Sequence, residues 1–143
     1  MGCRFAVACV VLSLGLATVP AAQAPAPAGT IDVLFSPDGG CEARILAELA
    51  RAQRSIRMQA YTFTSAVVTA ALRDARARGI DCEIILDKSN LTDRFSELPA
   101  VHRAGITCLI DHNHTVANNK VIIIDDATVI TGSYNFTRAA ERS

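Results

Sequence analysis

Residues 118–135 read Asn118-Asn119-Lys120-Val121-Ile122-Ile123-Ile124-Asp125-Asp126-Ala127-Thr128-Val129-Ile130-Thr131-Gly132-Ser133-Tyr134-Asn135. The apolar run 121–124 is a strand, entered through Lys120 and left through Asp125. A tight Asp125-Asp126-Ala127 corner follows, then a second strand over 128–131 that opens into Gly132-Ser133-Tyr134-Asn135. The corner is too short for a crossover helix, so the two strands form an antiparallel hairpin. Side chains alternate faces along a strand, so positions 118 and 120 project together, as do 133 and 135. Two neighbouring strand ends can therefore set Lys120, Ser133 and Asn135 around one small anion. An ammonium with hydroxyl and amide donors, beside a glycine that lets backbone come close, suits a phosphoryl group.

Working outward, strands and helices alternate. Residues 31–35 form a short apolar strand, closed by Ser36-Pro37-Asp38-Gly39-Gly40. A helix follows over 41–53, with Ile45, Leu46 and Leu49 on one face. Residues 55–63 are the next strand. Ser65 caps a helix whose buried stripe is Val68, Leu72 and Ala75, with Gly79 as its stop. A strand over 80–86 precedes a weaker helix over 93–104, interrupted at Pro99, and Gly105 ends it before a strand over 106–110. The expected class is α/β: a mostly parallel mixed sheet flanked by helices on both faces.

Residues 1–24 read as a secretory signal, with Arg4 as its positive start, an apolar stretch over 5–19 and a small-x-small site at Ala22-Gln23-Ala24. An Ala/Pro linker over 25–29 leads into the domain over 30–143. The expected location is outside the cytoplasm, periplasmic or secreted, with no stable membrane span once the signal is cut. Half of the 143 residues are hydrophobic, which excludes a disordered chain. Lys and Arg number 14 and Asp and Glu 14, and removing Arg4 leaves a formal −1. Such a balance advertises no nucleic-acid affinity, so any must come from a local patch. Cys41, Cys82 and Cys108 remain after the signal; buried free thiols are the plain reading, although Cys82 and Cys108 hold matching places in two strands and a disulfide is open.

Lys120, four residues, Asp125, six residues and Gly132-Ser133-Tyr134-Asn135 resemble the signature His-x-Lys-x4-Asp-x6-Gly-Ser-x-Asn of the phospholipase D superfamily. Phe35-Ser36-Pro37, Gln59-Ala60-Tyr61-Thr62-Phe63-Thr64, Ile85-Leu86-Asp87-Lys88-Ser89 and Phe136-Thr137-Arg138-Ala139-Ala140-Glu141 look like the small bacterial endonucleases of that superfamily. The departure is Asn118, which stands where the family has its nucleophilic histidine. The resemblance implies two motifs meeting across a twofold axis, one histidine attacking phosphorus and the other protonating the leaving oxygen, without a cofactor or metal. One motif copy per chain then implies a homodimer. The same resemblance implies a chain truncated at its C-terminus, because the family continues past Thr-x-Ala-Ala-Glu.

The implied catalytic set is Asn118, at the nucleophile's place, with Lys120 and Asp125; the implied phosphate contacts are Lys120, Ser133 and Asn135. Asp125 has the opposite strand parity to Lys120, so an orienting or pairing role competes with that of a capped-turn residue. An amide is neither a useful nucleophile nor a proton shuttle, so activity is expected to be impaired. His114 resembles the family's loop histidine, and His102 reads as a surface or packing residue. Asp111-His112-Asn113-His114 has zinc-capable groups, but such loops are common without metal, and no metal site is assigned. The expected activity is a metal-independent, non-specific endonuclease. Alternatives are a phospholipase D acting on phospholipid headgroups and a non-catalytic protein that binds phosphate or nucleic acid. Arg57, Lys88, Arg94 and Arg138 are candidate rim cations; deep apolar walls would favour lipid, and a shallow groove with arginines nucleic acid.

Overall fold

Alternation along Ser55–Ala60 (β1) sends Ile56, Met58 and Ala60 to a buried face and leaves Arg57 and Gln59 on the other. The same division holds in Asp81–Asp87 (β2) and Lys120–Ile124 (β4), where Cys82, Ile84, Leu86, Ile122 and Ile124 are buried. With Thr107–Asp111 (β3) and Thr128–Thr131 (β5) they form one five-stranded sheet in the order β3-β2-β1-β4-β5. β1, β2 and β3 run parallel, and β4 and β5 are antiparallel additions on the far side of β1. This computed structural model describes residues 29–142 and divides the chain into units Met1–Ile31 and Asp32–Ser143. The expected signal and nearly all of the expected linker lie outside the described residues. Among those described, no helix is long and apolar enough to cross a membrane.

Three helices, Cys41–Arg51 (α1), Ala66–Ala77 (α2) and Leu98–Arg103 (α3), bury Ile45, Leu49, Val68, Leu72, Ala75 and Val101 against the apolar face of the sheet in one core. The expected α/β class with a mixed, helix-flanked sheet is what forms. It differs in one respect: α1, α2 and α3 share a face, and among the described residues the other face is open. The path β1-α2-β2-α3-β3 steps across the sheet in one direction, so crossovers of one hand place both connecting helices on one side. The open face carries Arg57, Gln59, Glu83, Ile85, Val121 and Ile123.

Several local expectations shift. Residues 31–35 form no strand; Val33 and Phe35 are 69% and 75% exposed, and Asp32 pairs with Arg44 at 2.5 Å. An apolar run becomes a strand only where an edge accepts its ladder of hydrogen bonds, and this one finds none among the described residues. α2 is capped as expected, Ser65 Oγ accepting from the Val68 amide at 3.3 Å. α3 starts only at Leu98, because Pro99 has no amide to donate and fits only a first turn. The Asp93 carboxylate instead turns the preceding chain by accepting from the Phe95 amide at 2.8 Å. Cys108 lies opposite Ile84, two residues along from Cys82, which separates their Cα atoms by about 8 Å, beyond disulfide reach. Both are free thiols, and burial raises the pKa of each.

The β4–β5 hairpin turns through Asp125 and Asp126, at φ 56° and 58°, a conformation Asp tolerates better than most residues. The Asp125 carboxylate accepts from the amides of Gln53 at 2.9 Å, Arg54 at 2.7 Å and Ser55 at 2.9 Å. Those amides, Ser55's first, lower its pKa. The group thus contributes stability above the unfolded aspartate value of about 3.9, and that contribution disappears as pH falls through the lower folded value. Replacing Asp125 by Asn keeps the left-handed backbone but removes the charge. The variant is expected to melt several degrees below the parent at pH 7, with the gap closing below about pH 4. A gap that stays constant from pH 7 to pH 3 in thermal melts would contradict this.

Candidate functional site at the strand tips

Antiparallel pairing sets Lys120, the first residue of β4, opposite Ala60, the last of β1, and Thr131, the last of β5, opposite Val121. The ends of β1, β2, β3 and β5 and the start of β4 therefore share one edge of the sheet. Asn118, Lys120 and residues 132–135 all arrive there. The Lys120 ammonium donates to the Asn118 backbone oxygen at 3.1 Å and to its side-chain oxygen, and stands 5.5 Å over the Tyr61 ring. The Asn118 side chain is thus held directly against the Lys120 cation. The Tyr61 amide donates to the Asn119 oxygen at 3.0 Å, which carries the β1–β4 pairing up to the site.

The loop before β4 is fastened by a carboxylate that sequence reasoning treated only as part of a resemblance. Asp87, 3% exposed, accepts from the Ala117 amide at 2.7 Å and the Ser89 amide at 2.8 Å. Burial opposes its charge, but the Ala117 and Ser89 hydrogen bonds prevail and lower its pKa. Asn90, also 3% exposed, donates to the Tyr61 oxygen at 2.6 Å and the Asp87 oxygen at 3.0 Å, and accepts from the Phe63 amide at 3.2 Å. The signal was present in Asp87-Lys88-Ser89-Asn90: an Asp closing an apolar strand, with Ser two residues on, is an Asx-turn pattern. Farther along the edge, His114 Nδ1 lies 2.8 Å from Asp111 Oδ2, and the Asp111 carboxyl is lowered chiefly by that contact. Asp111 and His114 take each other as partners. Among the described residues no three His, Cys, Asp or Glu side chains converge as metal ligands.

Gly132, at φ 157°, leads the chain out of β5. Ser133 is exposed, and Asn135 Oδ1 is, among the described residues, the buried side-chain oxygen without a hydrogen-bond partner. The next residue is locked: the Phe136 oxygen accepts from the Thr64 and Ser65 amides, both at 3.0 Å, and Phe136 bridges to Phe63. Tyr134 donates to Glu141 Oε2 at 3.0 Å, and burial, then Glu141, raises its pKa. Glu141 also accepts from the Glu42 amide at 3.2 Å, tying the segment to α1.

The structure thus brings Asn118 and Lys120 into contact and carries Ser133 and Asn135 to the same edge. It does not bring Asp125 there. Asp125 lies past the other end of β4, five residues from Lys120 and about 17 Å away at strand spacing. Its place in the expected catalytic set is corrected: its carboxylate is consumed in holding residues 53–55, the turn role its strand parity allowed.

Residues 45–143 match the family model of the cardiolipin synthase, PLD-like domain. The phospholipase D of Rickettsia conorii is 46% identical over 112 residues, 78% of this chain and 56% of that protein. The mitochondrial cardiolipin hydrolase of Xenopus laevis is 27% identical over 129 residues, 83% of this chain and 61% of that one. The chain therefore spans little more than half the length of these curated relatives. Among solved structures, the phospholipase D family member Nuc of Salmonella typhimurium is 40% identical with a TM-score of 0.72, over 76% of this chain and 72% of that one. NucT of Helicobacter pylori, 24% identical with a TM-score of 0.63, shares the fold. The mixed five-stranded sheet, a match over residues 45–143 and these identities agree: the chain belongs to the phospholipase D superfamily of phosphodiesterase hydrolases.

Proposed function

We propose that this chain is the phosphate-binding half of an exported, metal-independent phosphodiesterase acting on nucleic acid, and that Asn118 leaves its chemistry impaired. One observation carries the reading: the Lys120 ammonium touches the side chain at position 118, at the edge where residues 132–135 arrive. In that arrangement Lys120 supplies the positive charge that a phosphoryl group needs, and Ser133 and Asn135 supply polar contacts. The family's nucleophile at this point is an imidazole. Its nitrogen bonds to phosphorus while the bond to the leaving oxygen breaks, and a second imidazole, from another copy of the chain, gives that oxygen its proton. Water, losing a proton to the second imidazole, then splits the phosphorus–nitrogen bond and frees the first. A single motif per chain makes a homodimer the working unit.

The amide of Asn118 can hold Lys120 but can neither form nor release the covalent intermediate. Its presence favours a second reading, a protein that binds phosphodiesters without cutting them. The two readings separate on cleavage of bis(p-nitrophenyl) phosphate, single-stranded DNA and phosphatidylcholine vesicles in excess chelator. Replacing the nucleophile of a cooperating site costs on the order of 10⁶ in turnover, so Asn118→His is expected to raise the rate at least about 10³-fold. Equal rates for parent and variant would reject the assignment of position 118. In the Asn118→His background, Lys120→Ala is expected to lower turnover by about 10²-fold or more, as for other lost contacts to developing charge. Faster cleavage of phosphatidylcholine than of DNA would favour a phospholipase.

A further inference from the structure

Next to the strand-tip site lies a groove of about 690 Å³, bounded by the segment 94–103 on one side and residues 137–139 on the other. Three arginines line it, Arg94, Arg103 and Arg138, against the one carboxylate of Glu97, a formal surplus of two positive charges. Elsewhere Arg44, Arg51 and Arg57 each pair with a carboxylate, and Arg54, Arg76 and Arg78 donate to backbone oxygens. Among the described residues none of the groove's three forms an ion pair. In a chain with 14 basic and 14 acidic residues, such a local surplus does not follow from composition. It is a patch able to attract an anion.

The groove also holds an aromatic platform. Phe95 is 60% exposed, and the Arg94 guanidinium lies 4.5 Å over its ring. Exposing a ring costs hydration free energy, and an exposed ring joined to a cation suits a partner that is itself flat and carries negative charge nearby. The turn bearing Phe95 is anchored to the site: Ser96 Oγ lies 3.4 Å from Asn90 Oδ1, and the Glu97 amide donates to the Phe63 oxygen at 2.9 Å. The opposite wall begins at Thr137, whose amide donates to the Asn135 oxygen at 2.8 Å. Both walls are thus extensions of the phosphate site. Beyond Phe95 the apolar lining is Ala66, Pro99, Ala100 and Ala139, with no Leu, Ile, Val or Met side chain to wall in an acyl chain.

We propose that this groove binds single-stranded nucleic acid beside the strand-tip site, with Arg94, Arg103 and Arg138 on successive backbone phosphates and Phe95 stacked on a base. The inference deepens the phosphodiesterase reading and takes its direction from it, but binding is measurable without turnover. Fluorescence anisotropy of the full chain with a labelled oligothymidylate of about 12 nucleotides, titrated over a range of salt, tests it. The combined Arg94→Ala, Arg103→Ala, Arg138→Ala variant is expected to bind at least about 100-fold more weakly at low salt. Its slope of log affinity against log salt should fall by about 2, the value for three contacts to a single strand. Phe95→Ala and Phe95→Leu should each weaken binding about tenfold with the slope unchanged, because stacking is lost and no phosphate contact is.

All four side chains are exposed, so thermal melts should match the parent. Unchanged affinity and slope in the arginine variant, with a parental melt, would overturn the proposal. So would a loss seen on phosphatidylglycerol vesicles but not on oligothymidylate, or Phe95→Leu binding as well as the parent. Failure of the catalytic reading looks different. If the Asn118→His chain leaves bis(p-nitrophenyl) phosphate uncut while the oligothymidylate losses persist, the groove stands and the catalytic assignment does not.

Discussion

The register of β4 against β1 is the constraint on which the site depends. Ala60 opposite Lys120 places Ile122 and Ile124 under the helices, beside Met58 and Ile56, and delivers the ammonium to the carboxyl edge of the sheet. A slip of one residue would send the buried pair to the open face and Lys120 with them, so the core's demand for those isoleucines also positions the cation. Burial of two isoleucines is worth roughly 3–6 kcal/mol, far more than a single exposed ammonium contributes to its own placement. The hydrophobic core thus decides where the polar site forms.

Polar groups inside the core then refine that placement. A carboxylate as deeply buried as Asp87 is tolerated only when amide donors replace its water, and the two that do so belong to the loops flanking the site. Asn90 extends the arrangement to Tyr61, Phe63 and Ser96, so one buried amide joins the β1 tip, the β2 tip and the wall of the arginine groove. Removing either residue would leave several hydrogen-bond partners without a match at once. This makes the edge a cooperative unit and not a set of independent loops.

Much of this was legible in the sequence because the informative residues obey short-range rules. The isoleucine run and the tight Asp125-Asp126-Ala127 corner announced the hairpin, and the offsets within it carried Lys120, Ser133 and Asn135 to one edge. Ser65 and Gly79 bounded α2 by capping chemistry alone. What stayed hidden was long-range. Nothing local tells residues 31–35 that no edge will accept them, and nothing local says that successive crossovers leave one face uncovered. Asp125 shows the boundary well: parity pointed it away from the phosphate, but only the fold reveals that residues 53–55 lie within reach of its carboxylate.

Asn118 separates two things that the family's histidine does together. In the mechanism proposed above, an imidazole at that position would both meet the lysine's neighbourhood with a polar atom and carry phosphorus through the reaction. The amide retains the first role, since its oxygen accepts from Lys120, and loses the second, since it has no basic nitrogen. An apolar residue there would have left the ammonium without that partner and weakened the pocket as well as the chemistry. What the structure keeps at this edge is therefore a polar contact between Asn118 and the Lys120 ammonium. Under the proposed function, holding a phosphodiester and cutting one are physically separable at this edge of the sheet, because charge and polar contacts serve the first and a basic nucleophile the second.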